Sequence, residues 1–300
     1  MKKKEKKIAI ISSSPLMIIL ALELQSQGNK VVVFDKSTVK GGAWGWFNLN
    51  LNKRFLNVPK YTNIIHPYNE KERRFIKKMN SYLKEKHKVK VDKVKKKFDI
   101  NYKYKDKFSY DFSKFYENSL RKIKFSKSYI SKIEMLADKK VRLNNKLLFD
   151  KIFIPSFSGI KEIKILKKKI FYPECRDIVS EHVSIIAKKF KLKNFYYSQF
   201  FDDCFDRVRI EKINKFYNLT ARLDHSIKGI KISKLKNTYV DRFAKKSDVI
   251  KVQLSKFHNY YRNKEQLKKL KNAIKGSSVK YIDTTQFMCG IYSLRKFLNV

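Results

Sequence analysis

Three consecutive serines, Ser12, Ser13 and Ser14, stand between an apolar run, Ile8 to Ile11, and a proline, Pro15, that opens a stretch of helix formers. Proline has no N–H, and at the first helical position that loss costs nothing. The serines therefore fall where a strand hands over to the positive end of a helix, a place suited to holding phosphate. Asp35 closes a second apolar run, Val31 to Phe34, 23 positions after Ser12. At that spacing a carboxylate can accept hydrogen bonds from the ribose hydroxyls of a dinucleotide. A glycine pair, Gly41 and Gly42, follows shortly after. Without side chains, such a pair lets backbone amides approach a phosphate or a flat ring. The candidate cofactor-binding set is Ser12, Ser13, Ser14, Pro15, Leu16, Asp35, Lys36, Gly41, Gly42, Ala43 and Trp44. It points to holding a dinucleotide. No catalytic acid, base or nucleophile stands out.

These residues need a β-α-β unit to position them. Leu16 to Gln27 is rich in good helix formers and stops at Gly28, which can take the left-handed conformation after a helix end. The continuous Val31 to Phe34 run reads as a strand buried on both faces of a parallel sheet. The whole stretch from Ile8 to Phe47 resembles the amino-terminal FAD-binding segment of the flavoprotein group that includes flavin amine oxidases, protoporphyrinogen oxidase-like proteins and UDP-galactopyranose mutases. Members carry G-x-G-x-x-G at the first turn; Ser12, Ser14 and Met17 hold the three glycine positions here. The first glycine permits the tight turn, the second lets the pyrophosphate approach, and the third keeps helix and strand close. Serine is small and can offer its hydroxyl to a phosphate, whereas Met17 is expected to push the helix off the sheet or twist its register.

The resemblance implies FAD as cofactor and an FAD-dependent oxidoreductase, or the related flavin-dependent sugar mutase chemistry, acting on a small molecule or nucleotide sugar. A degenerate relative that keeps the fold without flavin, and works as a binding or structural partner, stays open on the serine turn. The likeness extends to 128–158, where Asn144-Asn145 reads as a hairpin turn and Phe149 to Ile154 as a strand returning to the first sheet. It extends also to 279–298, where Asp283 follows a short strand, either near a ribityl chain or as a helix cap. Arg54 and His66 are the nearest candidates to line a flavin, or else belong to a surface loop.

A helix is expected from Asn69, with Phe75, Ile76, Met79 and Leu83 as its apolar stripe. Lys84 to Lys107 reads as a solvated helix end and loop. Another helix is expected over Val179 to Phe190, then strands near 195–201, 207–213 and 216–223 alternating as an antiparallel sheet with one wet face. A helix over Glu265 to Ile274 and a strand over Val279 to Ile282 follow, and a last helix is expected over Phe287 to Leu298. Asp202, Asp203 and Asp206 match a D-D-x-x-D magnesium pattern, but that chemistry needs a helical face and a second acidic cluster. A turn with Asp206 pairing Arg207 or Arg209 is the favoured reading. The three cysteines and five histidines are scattered, and no metal site is expected.

Lys and Arg number 71 against 27 Asp and Glu, a formal charge of +44 over 300 residues. Such an excess can mark nucleic acid or anionic glycan as partner. Here only twelve of the basic residues are arginine, and Asn, Ile, Tyr and Phe are plentiful, which favours coding bias over recognition. Nucleic acid is thus an unlikely partner and a small molecule the expected one. The basic start followed by an apolar run resembles a signal peptide, but SSSP and Glu23 interrupt it. No segment is long and apolar enough for a membrane span, and a cytoplasmic protein is expected. The fold class is α/β, an FAD/NAD(P)-binding Rossmann-like domain with a second mixed, mainly antiparallel substrate domain. Residues 1–70, 128–160 and 276–300 are assigned to the first, 71–127 and 161–275 to the second.

Overall fold

The computed structural model describes residues 5–36, 41, 46–51, 54–59, 64, 65, 70–93, 108–155, 160–170, 175–191, 197–199, 205–213, 215–223, 240–262, 264–284, 294 and 297. The chain opens with β1 (Lys7–Ile11), helix α1 (Pro15–Ser26) and β2 (Lys30–Asp35). A hairpin follows, β3 (Trp46–Leu51) with β4 (Arg54–Pro59), then β5 (Ile64–Ile65) and helix α2 (Glu70–His87). Next come β6 (Lys90–Lys93), β7 (Phe108–Asp111), helix α3 (Ser113–Leu120) and β8 (Lys124–Lys127). A meander contains β9 (Lys132–Met135), β10 (Val141–Leu143) and β11 (Leu147–Phe149), and leads into β12 (Lys151–Pro155). The second half holds β13 (Glu162–Ile165), β14 (Lys168–Ile170), β15 (Cys175–Ala187), β16 (Tyr197–Gln199), β17 (Phe205–Ile213), β18 (Phe216–Leu223) and β19 (Val249–Arg262). Helix Lys264–Ala273 and β20 (Val279–Ile282) complete the order.

The central sheet runs β20-β12-β1-β2-β8 with every pair parallel. β1 and β2 pair along their whole lengths, Ile8 opposite Val31 and Ile11 opposite Phe34. Alternate residues serve opposite faces. Ile8, Ile10, Val31, Val33 and Phe153 join α1, α2 and α3 in one core; Ala9, Ile11, Phe34, Ile152 and Ile154 join the meander and helix Lys264–Ala273 in another. Burial on both faces is why these strands read as unbroken apolar runs.

Helix α1 is buried nearly all round, from Pro15 through Ala21 and again at Glu23 and Leu24. Met17, expected to act on the packing of helix against sheet, is part of this burial. The side chain is fully buried in the shared core, and β1 and β2 keep an unshifted register beneath the helix. A flexible thioether can fill irregular gaps in such a core.

Asn144 and Asn145 take φ values of +46° and +61°, both left-handed, and close the β10–β11 hairpin as read from the sequence. β12 then returns the chain to the edge of β1. The helix expected over Val179 to Phe190 is instead the strand β15, paired with β18 on one side and β19 on the other. Apolar residues at 179, 183, 186, 187 and 190 fit a helical stripe, but 183, 185 and 187 also alternate, and two long partners decide for the strand. The resulting antiparallel sheet runs β16-β17-β18-β15-β19. Its apolar face has its own core of Val183, Ile185, Val208, Ile210, Leu219 and Phe243. Lys84 to Lys107 is less open than expected: His87, Val89 and Val91 are buried and Lys90–Lys93 forms a strand, while 94–107 lies outside the described residues. The helix expected over Phe287 to Leu298 also falls largely outside them. Among the described residues no helix is long and apolar enough to cross a membrane.

Candidate functional site

Because all five central strands are parallel, their carboxyl ends share one edge, and Ser12 emerges there between β1 and α1. Its φ is +90°, the left-handed region that favours glycine. The first fingerprint position thus keeps a glycine-like backbone under a serine side chain. Two bonds hold it: the Ser12 N–H donates to the Phe34 carbonyl at 2.8 Å, and the Ser14 N–H donates to Ser12 Oγ at 3.1 Å. Ser14, the second position, has φ −60° and ψ 153°, a backbone any residue adopts. It caps the helix only through its carbonyl, which accepts from the Ile18 N–H at 3.0 Å.

Ser13 is the hub of the turn and is fully buried. Its N–H and its hydroxyl both donate to Asp35 Oδ2, at 2.9 and 2.5 Å. Its Oγ also accepts from the Gly41 N–H at 3.1 Å. The structure thereby brings together Ser12 to Leu16, Asp35 and Gly41, residues the sequence placed in one site; Lys36 follows Asp35 and is exposed. Gly42, Ala43, Trp44 and His66 lie outside the described residues, as does the Arg54 side chain. Asp206 lies in β17, a strand, so it lacks the helical face that a D-D-x-x-D site requires; Asp202 and Asp203 lie outside the described residues.

One participant escaped the sequence reading. Tyr116, on α3 and fully buried, donates its hydroxyl to the Ser13 carbonyl at 2.8 Å. Burial, with a further push from the Asp35 charge, holds this phenol well above its usual value, so it stays a neutral donor. No short-range pattern links positions 13 and 116; only the aromatic run Phe112, Phe115, Tyr116 marks α3 as a core helix.

The turn fits a dinucleotide diphosphate on one structural observation. Ser14 Oγ is buried with no hydrogen-bond partner among the described residues, at the N-cap of α1. A helix start leaves several N–H groups without helical acceptors and carries partial positive charge. An orphan hydroxyl at that place suits an anionic oxygen.

A second polar cluster braces α1 from behind. Glu23, 1% exposed, accepts from Tyr82 Oη at 2.7 Å and from Lys86 Nζ at 2.8 Å. His87 Nε2 lies 3.0 Å from Tyr82 Oη and 3.5 Å from Glu23 Oε1. Burial lowers His87 to about 4, the neighbouring Glu23 charge offsetting only part of the shift. Desolvation, reinforced by Glu23, holds Tyr82 far above the usual phenol value.

No family model matches this sequence, and no curated protein matches it. Solved structures do. A putrescine oxidase double mutant with redesigned cofactor binding is similar at 8% identity, TM-score 0.65, over 98% of both chains. The tetrameric form of 2-methyl-3-hydroxypyridine-5-carboxylic acid oxygenase is similar at 11% identity, TM-score 0.55, over 98% of this chain and 81% of that one. A flavin-dependent halogenase, CmlS, is similar at 11% identity and TM-score 0.50; this chain covers 56% of its length, and 98% of this chain is matched. At such identities the likeness speaks for the fold. That fold is α/β, a Rossmann-like parallel sheet accompanied by a mixed sheet and a larger antiparallel one, and these solved structures share it.

Proposed function

We propose that this chain binds FAD and is an FAD-dependent oxidoreductase of the amine oxidase-like group, acting on a small molecule or a nucleotide sugar. The diphosphate is held by Ser12, Ser13, Ser14, Pro15 and Leu16, the ribose by Asp35 and Lys36, and Gly41 to Trp44 approach the cofactor through backbone. The partnerless Ser14 hydroxyl at the start of α1 carries the reading. When bound, the flavin supplies electron transfer, or covalent stabilisation in mutase chemistry, while the protein orients it and tunes its surroundings. Ser13 does the orienting work: it ties the turn to Asp35, Gly41 and Tyr116, and so links turn, second strand and third helix by hydrogen bonds. In this reading the antiparallel sheet β16-β17-β18-β15-β19 is the substrate domain, while α2, α3, β8 and helix Lys264–Ala273, which the sequence had put with it, share sheet or core with the Rossmann-like domain.

The second reading, a degenerate relative without flavin, is favoured by the same Ser13 contacts, because Asp35 Oδ2 is already engaged within the protein. Purification separates the two. A flavin that colours the protein and is released on denaturation, near one per chain, supports the first reading. A colourless protein that takes up no FAD supports the second.

A further inference from the structure

The meander sheet ends in two hairpin tips, and in one of them residue type and conformation disagree. A two-residue loop, Leu166-Lys167, joins β13 to β14, since Ile165 pairs with Lys168. Its φ values, +50° and +69°, are the left-handed pair of a type I′ turn, a place that favours asparagine and glycine. The β10–β11 hairpin of this same chain follows that preference with Asn144 and Asn145. Leu166 departs from it. It is also 59% exposed, more than any other large hydrophobic side chain among the described residues. A bulky side chain in that conformation costs stability, and here it gains no burial in return.

The second tip, residues 136–140, joins β9 to β10 and lies beside the first. The Leu166 N–H donates to the Met135 carbonyl at 3.1 Å, and the Leu136 N–H to the Lys140 carbonyl at 2.9 Å. Between them the tips carry Lys139, Lys140, Lys167 and Lys168, all exposed, against one aspartate, Asp138. Asp138 accepts the Lys140 N–H within its own turn, and the nearby Glu162 pairs with Lys164 and Lys169. Ser278, immediately before β20, donates its hydroxyl to the Lys139 carbonyl at 2.7 Å. The tips therefore lie at the amino edge of the central parallel sheet, opposite the carboxyl edge where Ser12 emerges.

Lysine is common throughout the chain, so charge alone identifies no partner. Leu166 makes the distinction. The phosphate backbone of a nucleic acid gains nothing from an exposed leucine. At a bilayer surface an apolar side chain enters the headgroup boundary while lysines beside it meet anionic lipid.

We propose that the adjacent β9–β10 and β13–β14 tips dock this protein on an anionic lipid surface, with Leu166 entering the interface and the flanking lysines meeting the headgroups. Docked in this way, the serine turn faces away from the lipid. The proposal goes beyond the flavin reading and stands without it.

The test co-sediments the full chain with vesicles of phosphatidylcholine alone and of phosphatidylcholine with added phosphatidylserine. Binding to the phosphatidylserine vesicles is expected, at least fivefold weaker in Leu166→Asn and at least tenfold weaker in Lys167→Gln/Lys168→Gln. The double variant Lys77→Gln/Lys78→Gln, which removes two exposed charges from α2, should change it less than twofold. Asparagine suits the left-handed loop, so Leu166→Asn should keep or raise the unfolding midpoint, and its lost binding is then not lost folding. Duplex DNA is titrated alongside, and any binding to it should be indifferent to Leu166→Asn. Equal binding to both vesicles, no binding to either, or binding that Leu166→Asn leaves unchanged overturns the proposal. So does equal weakening by the α2 variant, or DNA binding that depends on Leu166 as strongly as vesicle binding does. Flavin content is scored in the same samples, and vesicle binding is expected in coloured and colourless protein alike.

Discussion

Ser12 holds a glycine conformation with a side chain attached, at φ +90°. The strain of such a backbone is on the order of 1–3 kcal/mol. Against it stand a hydrogen bond from Ser14 N–H to Ser12 Oγ, worth roughly 1 kcal/mol, and the entropy that glycine would lose, about 0.4–1 kcal/mol. The opposing effects nearly cancel. Ser12→Gly is therefore expected to change stability by no more than about 1 kcal/mol, while Ser12→Val, β-branched and unable to accept the bond, should cost about 2 kcal/mol or more. Urea unfolding of the two variants measures the contrast. Tyr116→Phe leaves the Ser13 carbonyl without its donor, at a cost of about 1–3 kcal/mol. It should also loosen the turn, read as faster release of bound FAD. Ser12, Ser14 and Asp35 were legible in the sequence because turn chemistry and strand spacing are short-range signals. Tyr116 was not, since it reaches Ser13 from 103 positions away.

Helix α1 explains why a methionine stands where the flavoprotein pattern has glycine. With buried residues on nearly every side, the helix does not depend on one close contact with the sheet, and Met17 belongs to the same core as Ile8, Ile10, Val31 and Val33. Met17→Gly should then weaken the protein by roughly 3–5 kcal/mol, a cavity plus a helical glycine. If Met17 instead held the helix off the sheet, as the sequence suggests, the change would relieve it; the unfolding midpoint gives the sign. The α1–α2 junction adds a pH dependence. His87 sits near 4 in the fold and near 6.5 when unfolded, so the unfolded chain binds the extra proton first. Its contribution is present above about pH 6.5 and is lost as pH falls toward 4. The slope of unfolding free energy over this window should flatten in His87→Gln. At this scale β1, α1, β2, α2 and the Asn144-Asn145 hairpin were readable from local pattern. β15 was not, because its apolar spacing suits both periods and the decision belongs to β18 and β19.

The whole molecule places a parallel sheet and an antiparallel sheet in one chain, each with a core of its own. Fold class was legible from the β-α-β unit near one end and the alternating strands farther on. Which strands adjoin was less so, since β20 reaches the central sheet from 124 positions beyond β12's last residue (279 less 155) and only the assembled sheet shows it. Net charge said little, because lysine is spread throughout the sequence. The central claim concerns the edge where β1 ends and α1 begins, and FAD titration of the cofactor-stripped protein tests it most directly, with ADP-ribose as competitor and Ser14→Val as variant. Saturation near one FAD per chain, displacement by ADP-ribose, and affinity at least tenfold weaker in Ser14→Val are expected. Failure to saturate, or an affinity that Ser14→Val leaves unchanged, would contradict that claim.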